Sequence, residues 1–151
     1  MPFLLATLHL LALGIGLGAI WARARALRGA LDAAGIRRAL AADTWWGVAA
    51  ALWIGTGLLR AFGGWEKGSA YYLQNHVFWG KMLLLAIILA LEIWPMMTLI
   101  RWRIALAKGQ TPDTGPAKAI AGISESQVAL VVLIVAAAVA MARGVGAMMR
   151  G

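Results

Sequence analysis

The sequence predicts an all-α integral membrane protein, a four-helix bundle with an interfacial helical segment in its first cytoplasmic loop. Hydrophobic residues make up 62% of the 151 residues and charged residues only 13%, which leaves too little polar surface for a water-soluble domain. A membrane-spanning helix needs roughly 20 apolar residues. Four segments meet that length in whole or in part, residues 2–22, 45–62, 77–100 and 128–149, and they form a single transmembrane domain over residues 1–151.

The first segment is expected to stay in the protein as a membrane helix. In LLATLHLLALGIGLGAIWARAR, residues 4–25, the basic residues begin only at Arg23 and follow the apolar run. A secretory signal peptide has its positive charges before its apolar run. Gly14 and Gly18 form a G-x-x-x-G pattern, which favours close packing against another helix.

A basic, alanine-rich loop, RARALRGALDAAGIRRALAADT, precedes the second segment. Its leucines and isoleucine among arginines predict one or two short helices, broken near Gly35, that lie on the inner leaflet. Asp43 or Thr44 is expected to cap the second span, directly before Trp45 and Trp46 at the membrane interface.

The distribution of basic residues predicts the orientation. Nine lie in the two longer loops and four near the opposite ends of the spans; the nine are Arg23, Arg25, Arg28, Arg37, Arg38, Arg101, Arg103, Lys108 and Lys118. The positive-inside rule then places these loops in the cytoplasm and both termini in the periplasm of a bacterial inner membrane. The net charge of +8 thus indicates contact with the lipid bilayer and no nucleic acid. Small-residue faces predict a homo-oligomer or assembly into a larger membrane complex.

Five ionisable residues inside the spans are functional candidates, because such groups are costly in a bilayer. They are His9, Arg60, Lys81, Glu92 and Arg143. One anionic group bound near His9 in the outer leaflet would also satisfy Arg60, Lys81 and Arg143. Gly16 lies within about 20° of His9 around the helix axis and leaves room there for a flat ligand or a close helix. The alternatives are a packing histidine, cations that snorkel to the interface, and a hydrogen-bonded structural Glu92.

The sequence contains no cysteine and no hydrolytic or phosphate-binding motif, so any chemistry is expected to belong to a bound cofactor. Haem b is the natural candidate, since it is flat, apolar, anionic through its propionates and ligated by histidine. His9 would be the metal ligand, Gly16 would leave room for the ring, and Arg60 and Arg143 would bind the propionates.

The segment VFWGKMLLL, residues 77–85, and the histidine of the first helix resemble the CopD-like superfamily, which includes the HemJ-type protoporphyrinogen oxidases. This resemblance implies a four-helix haem b protein in which His9 and Lys81 are the key residues. It also implies that Lys81 or Glu92 moves protons if the substrate is a porphyrinogen. Trp79 stands where those proteins have a further histidine, and SESQ, residues 124–127, keeps Glu125 but lacks their proline.

Almost the whole chain resembles a bacterial family defined by a domain of unknown function, through stretches such as LWIGTGLLRAFGG, FWGKM and EIWPMMTLIRWR. The function expected is therefore a haem b-binding membrane redox protein of the HemJ/CopD-like type, acting on a porphyrinogen or passing electrons. A non-catalytic accessory subunit of a membrane complex is the first alternative. A metal or small-solute transporter that uses Met96 and Met97 is the second.

Overall fold

The computed structural model describes residues 1–64 and 68–146, and within these ranges the chain is helical and contains no strand. The all-α prediction is therefore confirmed. The described helices are α1 (Pro2–Arg28), α2 (Ala33–Phe62), α3 (Ser69–Leu73), α4 (His76–Ala107) and α5 (Ala117–Ala142). Four of them are long, as predicted, and the five-residue α3 is an addition that the apolar segments did not indicate.

Three helices, α1, α4 and α5, are long and apolar enough to cross a membrane. Only 28%, 22% and 22% of their most apolar windows are buried inside the protein. Such a large exposed apolar surface is typical of helices that contact lipid. Three of the four predicted spans therefore coincide with helices that are able to span a membrane. The fourth predicted span, in α2, is not among them. Its tryptophans and Arg60 lower the mean hydropathy of this helix.

The helices extend beyond the predicted spans at the end of the bundle where most arginines lie, which we call the basic end. Helix α1 continues to Arg28, α2 begins at Ala33 instead of Trp45, and α5 begins at Ala117 instead of Val128. Alanine, leucine and arginine are strong helix formers, so the helices continue where the apolar pattern stops. Residues 147–149 of the fourth predicted span lie outside the described residues.

The predicted interfacial helix in the first loop is wrong. Its residues are divided between the end of α1 and the start of α2, and the break falls at residues 29–32 instead of Gly35. Asp32, not Asp43 or Thr44, caps α2, since its Oδ1 atom accepts a hydrogen bond from the Gly35 amide at 2.7 Å. A Cβ atom at Gly35 would collide with the Ala30 carbonyl, so glycine is needed here for the tight turn and not as a helix break.

Helix α1 packs along α2 on one side and against α5 on the other, and α5 also packs against α4. The central core lies where these faces meet, and it includes Ile20, Trp46, Ile88 and Val131. The G-x-x-x-G prediction is wrong within this chain, because Cβ atoms at Gly14 and Gly18 would have nothing within 4 Å among the described residues. The small-residue contact of α1 is made instead by Gly16.

Candidate functional site

A cavity of about 410 Å³ lies at the end of the bundle opposite the basic end, which we call the N-terminal end. This volume is within the usual range for small-molecule sites, about 300–1,000 Å³. The cavity lies between the first half of α1, the second half of α2, the first half of α4 and the second half of α5. Its wall is mostly apolar and aromatic, and its polar side chains include His9, Arg60, Tyr71, Tyr72 and Lys81.

The His9 ring is fixed by hydrogen bonds at both nitrogens. The Trp53 indole Nε1–H donates to His9 Nε2 at 3.1 Å, so Nε2 is an acceptor and the proton of the neutral ring lies on Nδ1. Nδ1 then donates to Thr56 Oγ1 at 2.9 Å, and Thr56 in turn donates to the Leu52 carbonyl at 2.7 Å. Gly57 gives the ring its place, because a Cβ atom there would lie 3.1 Å from His9 Cε1.

Lys81 is half-buried in the cavity wall. Among the described residues its ammonium group makes no hydrogen bond or ion pair, and Arg60, in the same wall, repels it electrostatically. A cation held at membrane depth without a counter-charge is unfavourable. Such a group is a strong candidate for contact with an anionic ligand.

The structure brings together three of the predicted cofactor and catalytic residues, namely His9, Arg60 and Lys81. Gly16 is elsewhere, packed against α2, where a Cβ atom would lie 3.4 Å from the Trp46 ring and from Ala49. Arg143 is exposed at the end of α5 and is not in the cavity wall. Neither residue is placed to hold a ligand in this cavity.

The cavity does not fit a haem ligated by His9 in the arrangement observed. The lone pair of Nε2 accepts the Trp53 hydrogen bond, and iron needs the same lone pair. Coordination would therefore require the indole to move away.

A second polar cluster lies towards the basic end and centres on Arg23, whose side chain is 0% exposed. We call it the arginine network, and it comprises Arg23, Asp43, Glu92, Arg103, Ser124 and Gln127. It joins all four long helices. The sequence indicates only a cytoplasmic location for Arg23 and Arg103, and no local pattern predicts that they share a network.

All five N–H donors of the Arg23 guanidinium are satisfied. Glu92 accepts two bonds, at 2.7 and 2.9 Å, and Asp43 accepts one at 2.8 Å. Ser124 Oγ and Gln127 Oε1 accept the other two at 3.0 and 3.1 Å. Glu92 also accepts a bond from Gln127 Nε2 at 2.9 Å. These contacts agree with the alternative in which Glu92 is a structural, hydrogen-bonded residue.

Arg103 extends the network on the side of α2. Its guanidinium donates to Asp43 Oδ2 at 2.9 Å, to the Leu40 carbonyl at 2.8 Å and to Thr44 at 2.9 Å. Two arginines and two carboxylates give the network no net charge. Glu92 is eleven residues from Lys81, roughly 16 Å along α4, so the structure does not bring the two predicted catalytic residues together.

Met96 and Met97, the methionines named for metal transport, do not line the N-terminal cavity. Met96 and Met97 are each 47% exposed on the outer face of α4. Met148 and Met149 lie outside the described residues. His76, at the start of α4, is exposed.

Comparison with protein families gives one match. The family described as predicted membrane protein (DUF2214) matches residues 1–146. The chain belongs to this family, which agrees with the resemblance to a family defined by a domain of unknown function. No curated protein and no solved structure matches the chain, and the findings give no support for a CopD-like or HemJ-like relationship.

Proposed function

For this member of a predicted membrane protein family, we propose a four-span protein that binds an anionic amphiphile in the N-terminal cavity. The fourth span is α2, whose 30 residues extend about 45 Å at 1.5 Å per residue. Its exposed apolar side chains outside the cavity wall include Val48, Leu52 and Leu59. Helix α2 also lies along α1, a candidate span, which supports a shared membrane position.

The orientation that we propose places the basic end in the cytoplasm of a bacterial inner membrane and both termini in the periplasm. Its support is the excess of lysine and arginine in the two longer loops, nine residues against four. The cavity would then open in the outer half of the bilayer. Assembly with other chains stays a prediction.

The observation that carries the binding function is Lys81. Its ammonium group lies in the wall of a mostly apolar cavity, without a hydrogen-bond acceptor among the described residues. An anion that accepts its hydrogen bonds supplies a counter-charge that Lys81 lacks among the described residues, and the apolar wall buries the rest of the ligand.

Photolabelling tests this proposal. The protein in phosphatidylcholine nanodiscs is exposed to a long-chain fatty acid with a diazirine and an alkyne, and bound probe is quantified after illumination. We expect saturable labelling. Unlabelled fatty acid should compete with the probe, whereas its uncharged methyl ester should not. A hydrogen bond to a charged group contributes about 1.5–3 kcal/mol, so Lys81→Met should weaken binding about ten- to hundredfold.

The matched control is Lys118→Met, which removes an exposed lysine on α5 near the basic end. It should label like the wild type. Equal labelling of wild type and Lys81→Met, or equal competition by acid and ester, would show that Lys81 does not bind an anion.

Haem b, which the sequence predicts with His9 as its axial ligand, belongs to the same chemical class through its propionates. The apolar wall and the cations suit those groups, whereas the Trp53–His9 bond opposes axial ligation. A reduced-minus-oxidised absorption spectrum of the purified protein therefore distinguishes haem from other anionic amphiphiles.

A further inference from the structure

Three exposed tryptophans lie on three different helices at the depth of the arginine network. They are Trp21 on α1, Trp45 on α2 and Trp94 on α4. Their side chains are between 44% and 60% exposed. Each tryptophan is two residues, about 3 Å along its helix, from a member of the network, namely Arg23, Asp43 or Glu92. Because Arg23 bonds Asp43 and Glu92 directly, the three tryptophans lie at nearly the same depth of the bundle.

This depth corresponds to one boundary of the bilayer. On α1, the exposed Phe3 is about 27 Å from Trp21 at 1.5 Å per residue. On α2, the exposed Phe62 is about 26 Å from Trp45 by the same measure. The hydrocarbon core of a bilayer is about 30 Å thick, and tryptophan is enriched at its interfaces because the ring is apolar and its N–H is a donor. The tryptophans therefore mark the membrane interface towards the basic end.

Each of these tryptophans has an exposed arginine on the same helix, nearer to the basic end. The three arginines are Arg25 on α1, Arg38 on α2 and Arg101 on α4. They are four, seven and seven residues from the tryptophan of their helix, and these separations place both side chains on one helix face. None of the three guanidiniums makes a hydrogen bond or an ion pair with a described residue. Arg25 interacts with Glu125 only at longer range, since Arg28 makes the ion pair with that carboxylate.

We propose that the three tryptophan–arginine pairs bind anionic phospholipids in the leaflet at the basic end. The guanidinium binds the lipid phosphate through paired hydrogen bonds. The indole lies against the glycerol region, where one side is apolar and the other is wet. A zwitterionic lipid carries a positive group beside its phosphate, so the arginines attract an anionic lipid more strongly. The proposal uses the four-span arrangement of the proposed function but not its N-terminal cavity.

Spin-labelled lipids test this proposal. The protein is reconstituted in phosphatidylcholine membranes, and electron paramagnetic resonance measures the association of spin-labelled phosphatidylglycerol relative to spin-labelled phosphatidylcholine. The wild type should prefer phosphatidylglycerol. In the triple variant Arg25→Gln, Arg38→Gln and Arg101→Gln, the association constant should fall about fivefold at each pair. This is the change that about 1 kcal/mol per basic residue near a membrane surface produces.

A second triple variant is the matched control, Arg37→Gln, Lys108→Gln and Lys118→Gln. It removes the same charge from exposed positions near the basic end, and none of these residues is three, four or seven positions from an exposed tryptophan. It should keep the preference of the wild type. Both triple variants should also keep the wild-type photolabelling by the fatty-acid probe, because the cavity lies at the other end of the bundle. Circular dichroism and size-exclusion chromatography establish that both variants fold.

The outcomes separate this proposal from the proposed function. An equal loss of preference in the two triple variants would show diffuse attraction by the net charge and would overturn the paired sites. Inorganic phosphate has the same charged group without acyl chains. If it lowered the preference more than chloride at equal ionic strength, the pairs would bind phosphate itself and the lipid assignment would be wrong. A retained preference in the first triple variant, with photolabelling still dependent on Lys81, would overturn the lipid sites alone.

Discussion

Replacing Arg23 by methionine tests whether the arginine network stabilises the fold. Methionine replaces the apolar stem of the arginine side chain and removes all five guanidinium donors. The neutral partners keep other bonds, since Ser124 donates to the Ile120 carbonyl and Gln127 to the Ile88 carbonyl. Asp43 keeps its ion pair with Arg103 at 2.9 Å.

Glu92 is the residue that loses its counter-charge. Its side chain is 17% exposed, and among the described residues only Gln127 remains to donate to it. Breaking a buried ion pair by removing one partner costs about 3–5 kcal/mol, because the other charge is left buried. We therefore expect Arg23→Met to lower the free energy of unfolding by about that amount.

A double-mutant cycle isolates this charge. In a Glu92→Gln background, Arg23→Met removes only bonds between largely compensated groups. Its cost should then fall to about 1–2 kcal/mol, the contribution of one or two ordinary hydrogen bonds. The assay is reversible unfolding of the protein in mild detergent by increasing sodium dodecyl sulfate, followed by far-ultraviolet circular dichroism.

Arg28→Met is the matched control, because the Arg28–Glu125 pair also joins α1 to another long helix, α5, but at an exposed position. The side chains are 46% and 37% exposed, and exposed pairs contribute little. If Arg23→Met were no more destabilising than Arg28→Met, the network would not hold the helices together. An unchanged cost in the Glu92→Gln background would show that the uncompensated carboxylate is not the cause.

Three further predictions concern glycine packing, helix capping and haem. Gly57→Ala should be less stable than Gly55→Ala by about 1–3 kcal/mol in the same assay, because only Gly57 contacts the His9 ring; equal stability would contradict this contact. Asp32→Ala should cost about 1 kcal/mol and Asp32→Asn much less, whereas equal losses would exclude the cap. In protein expressed with ample haem, wild type and His9→Ala should give the same absorption spectrum, because Trp53 occupies the His9 lone pair. A b-type signal in the wild type that is lost in His9→Ala would show that iron displaces Trp53 from His9.

The membrane class and the spans in α1, α4 and α5 could be predicted because apolar content and length depend on local sequence. The helix ends could not, since the alanine and arginine residues of 23–44 suit a separate surface helix as well as an extended span. Only the capping contact of Asp32 with Gly35 determines where α2 begins. A hydropathy pattern contains no information on helix-capping hydrogen bonds, so it could not predict this boundary.

The arginine network shows why the polar contacts were harder to predict than the cavity. Arg23 bonds residues 69, 101 and 104 positions away in the sequence, and nothing local separates it from Arg25 or Arg28. The requirement of Glu92 for a partner was visible, but the identity of that partner was not. By contrast, His9, Arg60 and Lys81 were expected together because all three lie towards the outer ends of their predicted spans, where one anionic group could satisfy them.

Lys81 differs from Arg23 in a way that yields a last prediction. Each N–H donor of Arg23 has an acceptor, whereas the Lys81 ammonium has none among the described residues. A group that is buried in part without a partner costs free energy in the folded state, and such costs are retained where function needs them. Lys81→Met should therefore unfold at the same or higher detergent concentration than the wild type while losing photolabelling. A Lys81→Met variant that is clearly less stable than Lys118→Met would mean that Lys81 supports the fold, and the argument that assigns it to a ligand would fail.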